Sequence, residues 1–230
     1  MFFQYAREIW DDYPALVSGV LSASGITDDV NVDRRIAEFQ AVARSRLTEA
    51  PEGDWPEIQA WRRVFSTMGF KPTQYRCAAE SLLRRFRKDG ALPRLHPLVD
   101  LCNAISLAFA VPIAVFDVLR IEQSIQVRYA AGDEQYLSFA GELECPERGE
   151  VIFADAAARA HARRWTHRQS AFSAVRSDTE GVLIVAEAHH ATAMTEVMTV
   201  LDVLSRELSE LWTEPKAKTI LTKGAPPFEF

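Results

Sequence analysis

The sequence predicts an α+β fold in which N-terminal helices pack on a mixed or antiparallel sheet closed by a C-terminal helix. Three observations predict it. Apolar residues recur at helical spacing through residues 33–110, the period switches to two from Pro112 to Ala188, and helical spacing returns over residues 192–212. The chain has 230 residues, 48% of them hydrophobic and 25% charged, an ordinary globular composition with enough length for a sizeable core.

Residues 1–30 hold a short strand or helix, a break at Pro14, and the apolar run LVSGVLSASGI, which suits a buried strand. Asp33 is placed as a cap for DRRIAEFQAVARSRL, where Ile36, Phe39, Val42 and Ala43 share a face. EAPEGDWP is a loop. Asp54 is expected to cap the next helix, with Pro56 in its first turn and Trp61, Phe65 and Met68 on one stripe; Gly69 and Pro72 end it. CAAESLLRRFRKD forms a third helix, with Leu82, Leu83 and Phe86 inward and Gly90 just past its end. Pro97 opens a fourth, over residues 97–110. Its apolar stripe is Leu98, Leu101, Ile105 and Phe109, beside a polar ridge of Asp100, Asn103 and Ser106. PIAVFDV, SIQVRYA, QYLSFAG and EVIFAD then read as short strands. Residues 156–164 are expected to be a connection, GVLIVAEA a strand, and residues 215–230 a C-terminal tail, either a loose end or an ordered arm, on a single domain of residues 1–214.

Composition excludes several classes. Ten Gly and eleven Pro, unpatterned, do not make a fibrous chain. No apolar run reaches the roughly 18 residues of a membrane span. The opening MFFQYAREIWDDYP carries charges where an export signal is apolar, so a cytoplasmic location is expected. Cys77, Cys102 and Cys145 are odd in number and widely spaced, which fits neither a disulfide framework nor a zinc site.

The net charge of −6 is unevenly distributed. Arg62, Arg63, Lys71, Arg76, Arg84, Arg85, Arg87, Lys88 and Arg94 face only Glu80 and Asp89 within their window. A second window, Arg159 to Arg176, contains no acid. Two basic windows in an acidic chain suit a local positive surface for a polyanion, or simply the wet faces of amphipathic helices.

Standard catalytic signatures are absent: there is no Walker loop, GxGxxG, HExxH, GxSxG or Cys/His ligand spacing. His189 and His190 are adjacent and point apart, which argues against a shared metal, and His96 before Pro97 reads as a residue leading into the helix. Three segments carry unexplained polarity: the Asp100–Asn103 ridge, WTHRQS over residues 165–170, and Lys71-Pro-Thr-Gln-Tyr-Arg76. Their structural readings are a solvated or capping edge, an edge strand and a basic loop.

The order of these segments resembles the B3/B4 domain, the editing and tRNA-contacting domain of the phenylalanyl-tRNA synthetase beta subunit, and above all its free-standing relatives. The resemblance covers about residues 55–190. Its most specific pieces are L-V-D-x-x-N-x-x-S-L with Pro112 and Phe116-Asp117, GEVIFAD, and W-x-x-R-Q-S followed by D-T-x-x-V-L-x-V-x-E. It implies a single B3/B4-like domain that hydrolyses the ester joining a wrong amino acid to the terminal ribose of a tRNA, acting in trans. An aminoacyl ester is already activated, so oriented water and oxyanion donors suffice without a nucleophile. Neither a metal nor an organic cofactor is implied, and the partner is mischarged tRNA rather than DNA or membrane.

Carried over residue by residue, the resemblance assigns Asn103 and Gln169 to the attacking water and the substrate's polar groups; free-standing relatives show W-N-W-R-Q where this chain has Trp165-Thr166-His167-Arg168-Gln169. Asp100, Cys102, Ala114, Trp165, Arg168 and Ser170 fall among the substrate-contacting positions. Arg168 would meet a phosphate, the ribose or the carbonyl, and Trp165 would wall the side chain or terminal adenine. Ala114 departs from the family, whose synthetase members carry a histidine there; His167 is the candidate replacement, as a base near neutral pH. Lys71, Arg76, Arg84, Arg85, Arg87, Lys88, Arg163 and Arg164 would contact the tRNA backbone. Two rival readings are a non-catalytic RNA-binding module and a binder or hydrolase of small amino-acid esters or amides.

Overall fold

Along Gly181–Ala188 every side chain after the first is buried, so this strand has no wet face. A near-continuous apolar strand of this kind must be covered on both sides, and that requirement organises the molecule. The computed structural model describes all residues from Met1 to Phe230.

In chain order the elements are β1 (Phe2–Tyr5), α1 (Arg7–Asp12), β2 (Val17–Ser24), α2 (Asp33–Glu49), α3 (Pro56–Thr67), α4 (Ala78–Asp89) and α5 (Pro97–Phe109). There follow β3 (Ile113–Asp117), β4 (Ser124–Tyr129), β5 (Tyr136–Leu137), β6 (Leu143–Glu144), β7 (Val151–Asp155), β8 (Ala160–Arg163), β9 (Arg168–Gln169) and β10 (Gly181–Ala188). The chain ends with α6 (Ala193–Leu211), β11 (Ala217–Leu221) and β12 (Phe228–Glu229). The α+β class holds. The single expected sheet is in fact two sheets and a hairpin: a six-stranded sheet ordered β12-β1-β4-β7-β8-β9, a four-stranded sheet ordered β11-β2-β10-β3, and the pair β5-β6. Only β1 and β4 run parallel among the paired strands.

Alternation along β10 divides its side chains between two cores. Val182, Ile184 and Ala186 join Leu98, Leu101, Cys102 and Ile105 of α5 and Leu204 and Leu208 of α6. Leu183 and Val185 point the other way, into a core shared with Phe3, Val127 and Phe153 of the six-stranded sheet and with α3 and α4. Phe116 of β3 and Phe153 of β7 meet across this inner space at 5.6 Å. By the same alternation Glu187 faces inward, between the sheets. On the outer side α6 approaches β2 closely enough that a Cβ at Gly19 would lie 2.7 Å from Val197 Cγ1.

The helix signals hold with small shifts. Gly90 ends α4 in the left-handed conformation, φ 75°, as a residue without a Cβ allows. Asp33 and Asp54 are not the caps expected. Val32 and Trp55 occupy those positions without side-chain bonds, and Asn31 accepts from Asp33 N–H at 2.9 Å instead. Cys77 caps α4 through its sulfur, 3.4 Å from the Glu80 N–H. The connection expected at residues 156–164 contains strand β8. The tail is not loose: β11 pairs with β2, and β12 pairs with β1. No helix is long and apolar enough to cross a membrane.

Candidate functional site

Between β8 and β9 the chain turns sharply, with both Arg164 and Trp165 at positive φ, 47° and 57°. Two consecutive non-glycine residues in this region are costly and persist only where surrounding structure enforces them. The enforcement is visible. Trp165 is fully buried, donates Nε1–H to Glu187 Oε1 at 2.7 Å, and stands edge-on to Tyr13, Trp61 and His189. This anchor delivers the next residues, Thr166, His167, Arg168 and Gln169, to the wall of a cavity of about 70 Å³. Pro112, Ile113, Ala114, Phe153, Ala162 and Glu187 line it as well.

A second hollow, about 150 Å³ and mostly apolar, adjoins the first. Gln169 and Ile113 line both, and Cys102, Asn103, Leu95, Val99, Val115 and Phe139 line only the second. Asn103 on α5 and Gln169 on β9 therefore share a hollow. Gln169 donates Nε2–H to the Val115 carbonyl at 2.5 Å, while the Asn103 amide makes no hydrogen bond within the protein. No arginine lines this second hollow.

His167 is oriented by the backbone of the loop before α4. Its Nδ1 lies 2.8 Å from the Arg76 carbonyl oxygen and 3.3 Å from the Arg76 amide nitrogen; the shorter contact favours the tautomer with Nδ1 as donor and Nε2 as acceptor. Burial holds its pKa below the usual imidazole value. Arg168 pairs with Glu144 at 3.1 Å and lies over the Tyr136 ring at 5.1 Å. Burial pushes the Cys102 thiol up to about 12, so it is no nucleophile at neutral pH.

Several sequence-assigned residues lie elsewhere. Asp100 faces away from Asn103, accepting from Leu95 N–H at 2.9 Å and pairing with Arg94 at 3.6 Å in a separate shallow hollow. The spacing of three along α5 put Asp100 and Asn103 on one ridge, and the Leu95 loop draws the carboxylate off it. Ser170 is fully buried and bonds both backbone groups of Leu137, tying β9 to β5. Trp165 lines the cavity from the core, but its surroundings of Tyr13, Trp61 and His189 leave no face for a stacked adenine. Arg163 is buried, gripped by Glu150 at 2.6 and 3.0 Å and by Glu144 at 2.6 Å, so it cannot reach a phosphate. Arg164 is largely covered, over Tyr75 at 4.8 Å and 3.6 Å from Glu150.

The first basic window is also partly neutralised. Buried Glu80 takes Arg62 at 2.7 Å, Arg76 at 3.5 Å and Arg84 at 3.8 Å; buried Glu52 takes Arg87 at 3.2 Å and Arg84 at 3.6 Å. Arg85 stays exposed beside Asp89, and Lys71 and Lys88 are exposed without an ion pair. No group of three or more His, Cys, Asp or Glu is placed to hold a metal ion.

Sequence reasoning missed Glu187. It is 1% exposed; Tyr5 donates its phenol O–H to Oε1 at 2.6 Å, and Trp165 donates to the same oxygen. No arginine, lysine or histidine pairs with it. Burial raises its pKa to about 7. The available signal was a lone carboxylate within the apolar run GVLIVAEA.

Fold and site together define an α+β domain with two small adjoining hollows that have apolar walls and a few convergent polar groups. The B3/4 domain family model matches residues 60–209, and the chain belongs to that family. Similar proteins include the phenylalanine–tRNA ligase beta subunits of Coxiella burnetii (strain RSA 493 / Nine Mile phase I), 36% identical over 72 residues, and of Legionella pneumophila (strain Paris), 35% identical over 74 residues. These matches span 31% and 32% of this chain but only 9% and 8% of the relatives. Among solved structures, an N-terminal fragment of the phenylalanyl-tRNA synthetase beta-subunit from Pyrococcus horikoshii aligns with 95% of this chain and 49% of its own, at 13% identity and a TM-score of 0.48.

Proposed function

We propose that the protein hydrolyses the ester of an aminoacyl-tRNA, removing a wrongly attached amino acid in trans. The observation that carries this reading is the convergence of His167, Gln169 and Asn103, from a strained turn, an edge strand and a helix, on two adjoining hollows. In the tautomer that donates Nδ1–H to the Arg76 carbonyl, His167 presents Nε2 as base toward a water. Ala114 lines the same cavity, so the imidazole missing from β3 is offered from the neighbouring turn. In the reaction, Nε2 takes the water proton as its oxygen attacks the ester carbonyl, and the imidazolium returns that proton to the departing ribose oxygen. The amides of Asn103 and Gln169 are donors for the oxyanion, worth about 3 kcal/mol each where such a donor acts. Lys71 and Lys88, exposed without an ion pair, and Arg85, exposed beside Asp89, are the backbone-contacting residues in this reading.

One observation favours a second reading, hydrolysis of small amino-acid esters without RNA: most of the arginines in the two basic windows are spent on Glu52, Glu80, Glu144 and Glu150. The deciding experiment is a screen of mischarged tRNAs for deacylation by the pure protein, beside Asn103→Ala and His167→Ala and with free amino-acid esters as a parallel substrate set. Turnover of an aminoacyl-tRNA that both substitutions abolish supports the proposal. Turnover of free esters alone supports the second reading.

A further inference from the structure

Glu187 poses an electrostatic problem that the protein leaves half solved. Its Oε1 accepts two neutral hydrogen bonds, from Tyr5 at 2.6 Å and Trp165 at 2.7 Å, and the Tyr5 oxygen is itself 2.7 Å from Ser18 Oγ. Its Oε2 has no protein partner, and the carboxyl lines the cavity. A buried carboxylate is costly unless a cation or further donors compensate it. The cation-bearing groups of the cavity are engaged elsewhere: Arg168 with Glu144, and His167 through the Arg76 carbonyl.

We infer that this cavity holds a primary-ammonium subsite, in which Glu187 Oε2 receives the free α-ammonium group of an aminoacyl ligand. The two donors on Oε1 fix the carboxyl in place and direct its remaining lone pairs into the cavity, so the ligand's ammonium supplies the missing counter-charge. With its pKa near 7 in the empty site, the carboxyl can give up its proton to solvent when the ammonium arrives. No bond to carbon is made or broken in this step; one proton leaves Oε2 and one ion pair forms. The inference rests on the deacylation reading for the identity of the substrate, and it adds a requirement: the ester must carry an unblocked α-amine.

The test separates the two ideas. Binding of amino-acid amides, such as phenylalaninamide and leucinamide, and of their N-acetyl derivatives is measured by calorimetry and ligand-observed NMR at millimolar concentration, on wild type and Glu187→Gln. The glutamine keeps an oxygen to accept from Tyr5 and Trp165 but turns an NH₂ toward the cavity. Expected is binding of a free amine about tenfold or more tighter than its acetylated form, with the preference lost in the variant. Equal binding of both forms, no binding of any free amine, or a preference that survives in Glu187→Gln overturns the subsite. If the variant does not fold, the wild-type comparison decides alone. Amine-selective binding with no turnover of any aminoacyl-tRNA leaves the subsite standing and removes the deacylation reading. Deacylation that proceeds equally on N-acetylaminoacyl-tRNA does the reverse.

Discussion

The Nδ1 of His167 lies 2.8 Å from the carbonyl oxygen of Arg76, although 91 positions separate the two residues. This bond joins the two basic windows at one point, with Arg164 resting on Tyr75 beside it. What the junction delivers is an oriented imidazole rather than a positive surface. The carbonyl contact, shorter than the 3.3 Å approach of the Arg76 N–H to the same nitrogen, favours the Nδ1–H tautomer, and the aromatic rings of Phe65 and Tyr75 hold the ring edge-on at 6.4 and 5.3 Å.

If His167 is the base, only its neutral form works. Burial lowers its pKa from 6.5, so at neutral pH the imidazole is already deprotonated and competent. The acid limb of the deacylation rate therefore lies below pH 6.5. His167→Ala is expected to cut the single-turnover rate by roughly 10²–10⁴-fold and to abolish that limb. Rates measured between about pH 5 and 8 check it. A limb centred above 6.5, or one that persists in the variant, rejects the assignment.

The two kinds of arginine and lysine in the basic windows have opposite expected phenotypes. Arg163, with a side chain 4% exposed, neutralises Glu150 and Glu144 in the interior. Arg163→Ala strands those carboxylates and is expected to cost about 3–5 kcal/mol of stability, with tRNA affinity unchanged in whatever fraction remains folded. Lys71→Ala and Lys88→Ala should leave the melting temperature alone, weaken tRNA binding, and each reduce the salt slope by about one. Denaturant melts and tRNA titrations at several salt concentrations read both. A steep loss of affinity in Arg163→Ala with wild-type stability would contradict the buried ion pairs.

Periodicity made the helices and most strands legible because each of those residues answers to its own neighbours in the chain. Gly90 and Pro97 mark real ends, and the switch of period at Pro112 is where α5 gives way to β3. What periodicity could not reach was pairing. Ala160–Arg163 is only four residues, with no apolar side chain larger than alanine to announce a strand, and it becomes one because β7 offers an edge. The basic windows could be counted but not cancelled, since Glu52 and Glu144 lie outside both. Asn103 and Gln169 were legible as polar residues in apolar settings, whereas Asp100 differs from Asn103 only in what the preceding loop presents to it. Glu187 stood in plain view as the lone charge of its strand, yet its situation depends on Tyr5 and Trp165, which approach from distant parts of the chain.

The C-terminal strands supply a third prediction. β11 covers one edge of the four-stranded sheet and β12 one edge of the six-stranded sheet, with Leu221 and Phe228 buried in the shared core. A chain ending at Glu214 uncovers both edges and removes two large apolar side chains, each worth about 1.5–3 kcal/mol. The truncated protein is expected to melt earlier and to self-associate through the open edges of β1 and β2. Thermal melts and size-exclusion chromatography measure this, and an unchanged melting temperature and elution volume would show that the tail is dispensable.

Two buried titratable groups give stability an opposed pH dependence. Glu187 is raised from 4.5 to about 7 in the fold. Between those values the unfolded chain releases a proton that the folded protein keeps, so stability falls as pH rises through this window and levels off above it. His189 is lowered from 6.5 to about 3, caged edge-on by Trp61 at 4.6 Å and Trp165 at 5.2 Å. Here the unfolded chain takes up a proton that the fold refuses, so stability falls as pH drops below 6.5. Glu187→Gln removes the first effect while keeping the Tyr5 and Trp165 bonds. It should match wild type near pH 4 and exceed it near pH 8 by a few kcal/mol. His189→Phe preserves the aromatic cage, and should match wild type near pH 8 and exceed it on the acid side. Between about pH 4.5 and 6.5 the two slopes oppose each other, so wild type has its broad maximum there while each single variant tilts. Denaturant unfolding of the three proteins across this range tests the pair, and a Glu187→Gln advantage that appears at pH 4 rather than pH 8 would show that the carboxyl is charged in the fold and has a partner of its own.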